Sequence, residues 1–196
     1  MKKLLLLITF ISLPSYSAVS ANVSFTSDYI WRGMTQSDGP AIQGGFDYAN
    51  DGGFYAGIWG SNVNFNDGAG SELDYYFGYG FEMGGIGVDL GYVAFDYPDN
   101  DTGLDFEEIV LGLSMGDLGL TFALGQDGAP DYTEVSYGFG AVGIAYGQYD
   151  DYGDNLSISY GFTCGTYDCG LAYSDFSDDG YGADEDAIVF SVSASF

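Results

Sequence analysis

The chain has 196 residues, with 32 Gly, 18 Tyr, 15 Phe, no His, and 29 Asp and Glu against three Lys and Arg. A net charge of −26 disfavours nucleic acid and anionic surfaces as partners. With 46% hydrophobic and 18% aromatic residues, it is also too apolar to be an acidic disordered chain.

Met1-Lys2-Lys3, the apolar run from Leu4 to Leu13, Pro14, and the small residues Ser15, Ser17, Ala18, Ser20 and Ala21 read as a secretory signal peptide. The signal takes residues 1–20, with the cut between 17 and 21. Its apolar run is about ten residues long, whereas a spanning helix needs about 20. Cleavage removes Lys2 and Lys3 and leaves Arg32 as the one cationic side chain. The remainder, 21–196, has the size of one domain.

Twelve strands follow by alternation, at 20–32, 40–49, 53–64, 72–83, 86–97, 105–115, 118–125, 131–139, 141–150, 155–164, 168–176 and 185–196. Side chains two apart share a face. In the fourth, Leu73, Tyr75, Phe77, Tyr79, Phe81 and Met83 oppose Asp74, Tyr76, Gly78, Gly80 and Glu82. In the tenth, Leu156, Ile158, Tyr160 and Phe162 oppose Ser157, Ser159, Gly161 and Thr163. On most strands the second face is Gly, Ser, Ala and Thr, as suits a narrow lumen. Connections after even-numbered strands are short (Gly84-Gly85, Gly116-Asp117), and those after odd-numbered strands are longer and acidic (33–39, 98–104, 177–184). The pattern predicts an all-β, transmembrane antiparallel up-and-down β-barrel of about twelve strands in the outer membrane of a Gram-negative bacterium, with both termini in the periplasm.

Parity in the first strand puts Ser24, Thr26, Asp28, Ile30 and Arg32 in the lumen and Phe25, Tyr29 and Trp31 toward lipid. Arg32 then either shapes the field of a pore, holds a loop inward by bidentate pairing, or anchors the wall in a salt bridge. Asp28 is too distant in a straight strand to be its partner. Asp74, Glu82, Asp89 and Glu108, with Asp28, are candidates for cation selectivity or for a hydrated rim. Tyr55 and Trp59 flank Gly57 on the lumenal face and form a constriction or fill the barrel, filling being the favoured reading. Cys164 and Cys169, flanking a four-residue turn, are expected to lie directly opposite and form a disulfide in an oxidising compartment. Two acidic loops, with Asp99 and Asp101 in one and Asp178 and Asp179 in the other, have oxygen-rich spacing suited to Ca²⁺ or Mg²⁺ or are simply solvated. Divalent bridging from these loops to lipopolysaccharide phosphates is a further expected role; no other cofactor is expected.

Ser27-Asp28-Tyr29-Ile30-Trp31-Arg32-Gly33-Met34-Thr35-Gln36-Ser37 resembles the opening block of the TorF-like family of porins, proteobacterial outer-membrane β-barrel proteins. Gly53 to Val63, with Trp59, Ser61 and Asn62, is similar to the family's second block, and Glu72 to Tyr79 to a third. These blocks cover about the first third of the mature chain. The terminal Phe196 resembles the signal read by the barrel-assembly machinery. The resemblance implies porin-like transport of small solutes and assigns no substrate. Two functions fit the residues: a passive channel for small solutes biased toward cations, and a closed structural or adhesive barrel with divalent-binding acidic loops. An enzyme is not expected, because without His or retained Lys the usual Ser-His and Lys-activated nucleophiles are missing.

Overall fold

The computed structural model describes residues 18–66, 68–98, 103–180 and 182–196. Alternation of apolar and small residues folds as a period of two predicts, into strands β1 (Ala18–Thr26), β2 (Ile30–Trp31), β3 (Met34–Thr35), β4 (Ala41–Ala49), β5 (Phe54–Asn62), β6 (Ser71–Met83) and β7 (Ile86–Asp96). They continue as β8 (Phe106–Met115), β9 (Leu118–Gly125), β10 (Tyr132–Phe139), β11 (Val142–Tyr149), β12 (Gly153–Cys164), β13 (Tyr167–Asp178) and β14 (Glu185–Ser195). Twelve of these close into one antiparallel barrel in sequence order, and β2 pairs with β3 as a separate hairpin.

Closure joins β1 to β14, from Asn22 opposite Ser195 to Thr26 opposite Ser191. Phe196 extends that seam: its N–H donates to Ala21 O at 2.8 Å, and the Ala21 N–H donates to Phe196 O at 3.1 Å. Among the described residues no barrel edge is left unpaired. The short turns carry the backbone that such hairpins need. Gly84 and Gly85 both have positive φ, 63° and 84°, the twist of a two-residue turn that matches right-twisted strands.

Parity is obeyed around the wall. Tyr75, Phe77, Tyr79 and Phe81 of β6, Leu156, Ile158, Tyr160 and Phe162 of β12, and Ile188 and Phe190 of β14 are exposed on the outside. Glycine, serine and alanine face inward on β8 to β14. The buried apolar side chains gather inside the barrel, at the end of the long connections. One group holds Val110, Ala123, Tyr132, Tyr149 and Phe176, and the other Val63, Ala69, Phe95 and Tyr97; Trp31 packs against both.

The first strand departs from expectation. β1 ends at Thr26 rather than continuing to residue 32, and residues 27–40 fold into the barrel around the β2–β3 hairpin. Tyr29 and Trp31 therefore pack among the interior side chains and do not face lipid. The cause is local hydrogen bonding that competes with the sheet ladder. Thr26 Oγ1 donates to Asp28 O at 2.6 Å, and Asp28 Oδ1 accepts from Thr35 Oγ1 at 2.8 Å and Ser37 Oγ at 3.1 Å.

Candidate functional site

The inward hairpin organises the lumen. Its base is closed by Gln36 N–H donating to Tyr29 O at 2.7 Å and Tyr29 N–H donating to Ser37 Oγ at 2.8 Å. A bond from Thr35 N–H to Glu185 Oε2, 2.7 Å, ties it to β14. At its tip, Arg32 and Gly33 occupy the two positions between Trp31 and Met34, with φ of 47° and 93°. Gly33 sits against the far wall. A Cβ there would lie 2.7 Å from Asn155 Cβ and 2.9 Å from Phe176 Cβ. The Arg-Gly turn thus crosses the barrel and touches β12 and β13.

Arg32 lies at the centre. Its Nη1 donates to Glu108 Oε1 at 2.6 Å and its Nη2 to Glu108 Oε2 at 2.8 Å, a bidentate pair whose side chains are 4% and 2% exposed. Nη1 also donates to the Tyr149 hydroxyl at 3.4 Å. The guanidinium carbon is 4.0 Å from the Tyr132 ring centre and 4.2 Å from that of Trp31. Glu108 is the partner that spacing along the chain does not identify. Tyr132 is fixed in turn, its hydroxyl 2.9 Å from both Glu134 Oε2 and Asn155 Oδ1.

Around the hairpin base a second set forms. The Tyr29 hydroxyl donates to Glu72 Oε1 at 2.8 Å, and the Tyr29 ring meets Trp59 edge-on at 5.3 Å. Trp59 thus lies inside, against the hairpin. Trp31 meets Phe95 at 5.5 Å and Phe106 at 5.9 Å, and these two stack at 4.2 Å. Asp74 is buried beside Glu72. Nearer the short turns, the Tyr55 hydroxyl donates to Asp89 Oδ1 at 2.7 Å, and the Tyr76 hydroxyl to Asp47 Oδ1. Tyr55 and Tyr76 lie over Gly78 and Gly57 of the adjoining strand, where a side chain would collide.

The other expected site residues fall elsewhere. Glu82 is exposed next to the β6–β7 turn, apart from the buried groups. Asp28 is spent on holding the hairpin loop together, accepting also from Gly39 N–H at 3.4 Å. Gln36 is buried, its side chain donating to Met34 O at 3.1 Å. Ser61 Oγ donates to Asn62 O at 3.0 Å within β5, and Asn62 Oδ1 accepts from Ile42 N–H at 2.8 Å, which joins β5 to β4. Ser27 Oγ accepts from Phe190 N–H at 2.9 Å. Asp178 accepts from Gly180 N–H at 2.6 Å and Gly182 N–H at 2.8 Å, so its carboxylate caps its own loop, while Asp179 is exposed. Asp99 and Asp101 lie outside the described residues. Among the described residues no three acidic, His or Cys side chains gather as a metal set.

Cys164 and Cys169 are joined in a disulfide with Cα atoms 5.9 Å apart. They are not directly opposite. The turn is the two residues Gly165-Thr166, so Cys164 pairs with Tyr167 and Cys169 with Phe162, and the bridge is diagonal.

Glu72, Asp47, Tyr132, Glu134, Tyr149 and Asn155 also belong to the site, and none stands out as a motif in the sequence. Strand parity marks all six as lumenal, but alternation does not say which lumenal groups meet the hairpin.

Compared with solved structures, the chain is similar to Acinetobacter baumannii OccAB4, with a TM-score of 0.41 and 11% identity over 88% of this chain and 56% of that one. It is similar to Pseudomonas aeruginosa OccK8 (OprE), with a TM-score of 0.40 and 11% identity over 92% and 62%. For a BenF-like porin from Pseudomonas fluorescens Pf-5 the values are 0.38 and 15% over 87% and 58%. The chain thus spans about six-tenths of the length of these proteins. No curated protein matches it. A family model described as a bacterial protein of unknown function (Gcw_chp) matches residues 14–195, and the chain belongs to that family.

Proposed function

We propose that the protein is a bacterial outer-membrane channel for small solutes, biased toward cations and narrowed by its inward hairpin. The observation that carries this reading is the two-faced wall. Phe46, Phe77, Tyr137, Ile144, Tyr160 and Ile188 are exposed on the outside of a closed sheet, an apolar aromatic surface that water does not favour and lipid does. Inside, small residues and carboxylates line the wall toward the short turns, and the aromatic clusters around the hairpin fill the end of the long connections. Resemblance of residues 27–37 to the TorF-like porins supports the same reading. The cation bias follows from charge. Arg32 is spent on Glu108, and the lumenal wall of β4 to β7 carries Asp47, Asp74, Asp89 and Glu82 with no cationic side chain among them. Lipopolysaccharide at the acidic loops and the barrel-assembly machinery at Phe196 are the partners this placement implies.

A closed structural barrel is the second reading. It is favoured by packing at the hairpin, where Ala123 is 0% exposed and Glu72 and Asn155 are 1%. Planar-bilayer recording under a KCl gradient decides between them. Discrete steps with a cation-directed reversal potential are expected. Silence from protein shown to be folded would move the function to the closed barrel.

A further inference from the structure

Along the lumenal face of β6, from the long-loop end to the short-turn end, stand Glu72, Asp74, Tyr76, Gly78, Gly80 and Glu82. The first two are buried, at 1% and 8% exposure. Glu72 Oε2 and Asp74 Oδ1 have no hydrogen-bond partner. The two carboxylates lie beside each other, and the donors near them are the Tyr29 and Tyr97 hydroxyls at Glu72. Tyr29 satisfies Glu72 Oε1 only, at 2.8 Å. Arg32, the sole cationic side chain among the described residues, is engaged by Glu108. Buried, adjacent carboxylates are costly to keep ionised unless something neutralises them.

We propose that Glu72 and Asp74 form a binding site for one hard divalent cation of the Ca²⁺ class. Every group converging there offers oxygen: the two carboxylates, and the Tyr29 and Tyr97 hydroxyls beside Glu72. Two negative charges call for a divalent ion, which leaves the site neutral. With two protein carboxylates and water completing the shell, binding is weak and exchangeable, as suits an ion taken up from a lumen. The approach is acidic too. Glu82 is exposed at the short-turn mouth, and Asp89 and Asp47, held by Tyr55 and Tyr76, line the same wall below Asp74. The site rests on the reading of the interior as a cation-accepting lumen, but not on conduction through the hairpin.

The test uses Tb³⁺ as the probe, because Tyr29 and Trp59 lie close enough to sensitise its emission. The folded mature barrel in detergent should give saturable Tb³⁺ emission that Ca²⁺ displaces. That component should fall about tenfold in E72Q/D74N and stay unchanged in the loop variant D178N/D179N. D74N alone, at the edge of the site, gives the same readout if the double variant fails to fold. Absence of saturable emission from folded wild-type protein, or equal emission from the Glu72 and Asp74 variants, overturns the site and leaves a shared proton as the neutralising charge. Bilayer conductance without the Tb³⁺ component sinks the site alone; Tb³⁺ binding with electrical silence sinks conduction alone.

Discussion

Arg32 and Glu108 stand 76 residues apart in the chain and meet through two hydrogen bonds, 2.6 and 2.8 Å, inside the barrel. The contact exists because the chain leaves the wall at Thr26 and brings a two-residue turn across the lumen. Neither residue reaches the other from a straight strand. The pair therefore couples the inward hairpin to the wall at β8, and its removal is a test of what keeps the hairpin inside.

Replacing Glu108 with Gln leaves the guanidinium buried without its counter-charge. The expected cost is about 3–5 kcal/mol, the range for breaking one side of a buried ion pair. Replacing both partners in R32M/E108L is expected to cost less than the two single changes together, because no orphan charge remains. Urea unfolding followed by tryptophan fluorescence reports this directly, since Trp31 lies 4.2 Å from the guanidinium. Additive single and double variants would show that the pair does not hold the hairpin.

Gly33→Ala strikes the same hairpin from its tip. The backbone there has φ of 93°, which an alanine adopts only under strain, and the new methyl meets Asn155 and Phe176. We expect a loss on the order of 1–3 kcal/mol from the backbone alone, and more from the collision. Gly70→Ala is the control, because a Cβ there meets nothing within 4 Å; its expected effect is within about 0.5 kcal/mol. Equal unfolding midpoints for the two variants would contradict the packing of Gly33 against the far wall.

A period of two encodes faces and turns, and it does not encode contacts across a lumen. Leu73 to Met83 announces β6 and its outward face, and the glycine pairs announce the short turns. The strand ends from β4 onward fall within two residues of expectation. The hairpin was not legible. Tyr29 and Trp31 continue the alternation of β1 unbroken, and an aromatic facing an interior looks the same in sequence as one facing lipid. What breaks the strand is Asp28 bonding to Thr35 and Ser37, a side-chain contact that carries no periodic signal. Glu108 was legible as lumenal but not as the partner of Arg32, because pairing across a barrel depends on where the loop turns back. The diagonal position of the cysteines depends on a turn two residues shorter than their spacing suggests.

The disulfide is predicted to contribute little to global stability. It closes a loop across a hairpin already paired on both sides, with sequence separation 5. Chain entropy for so short a loop amounts to about 2 kcal/mol at most. C164S/C169S should therefore assemble and unfold close to wild type, and dithiothreitol should not shift the unfolding midpoint of the folded barrel by much. Collapse of the yield of folded barrel in the double variant would mean that the bridge guides assembly.

Removing Phe196 deletes both hydrogen bonds to Ala21 that extend the seam between β1 and β14. Phe196→Ala keeps those bonds and removes only the ring, which is 80% exposed. If the ring is what the assembly machinery reads, both variants lose the heat-modifiable folded band in the outer membrane. If closure of the seam matters instead, only the deletion does. Normal assembly of both would end the assignment of Phe196 as an assembly signal.

Pairing at Ala18, Val19 and Ser20 bears on where the expected signal peptide would be cut. Ala18, Val19 and Ser20 pair with Ala49, Tyr48 and Asp47 of β4, so a cut after Ser20 would remove three residues of paired strand. A cut after Ser17 has small residues at Ser15 and Ser17 on its leading side and leaves those three pairs intact. We therefore expect mature protein to begin at Ala18, read by N-terminal sequencing of the outer-membrane fraction. A mature start at Ala21 would leave Ala49, Tyr48 and Asp47 without those partners on a barrel edge, and β4 would then need protection from the turn at residues 50–53 or from lipid headgroups. A start at Met1 would overturn the signal-peptide reading.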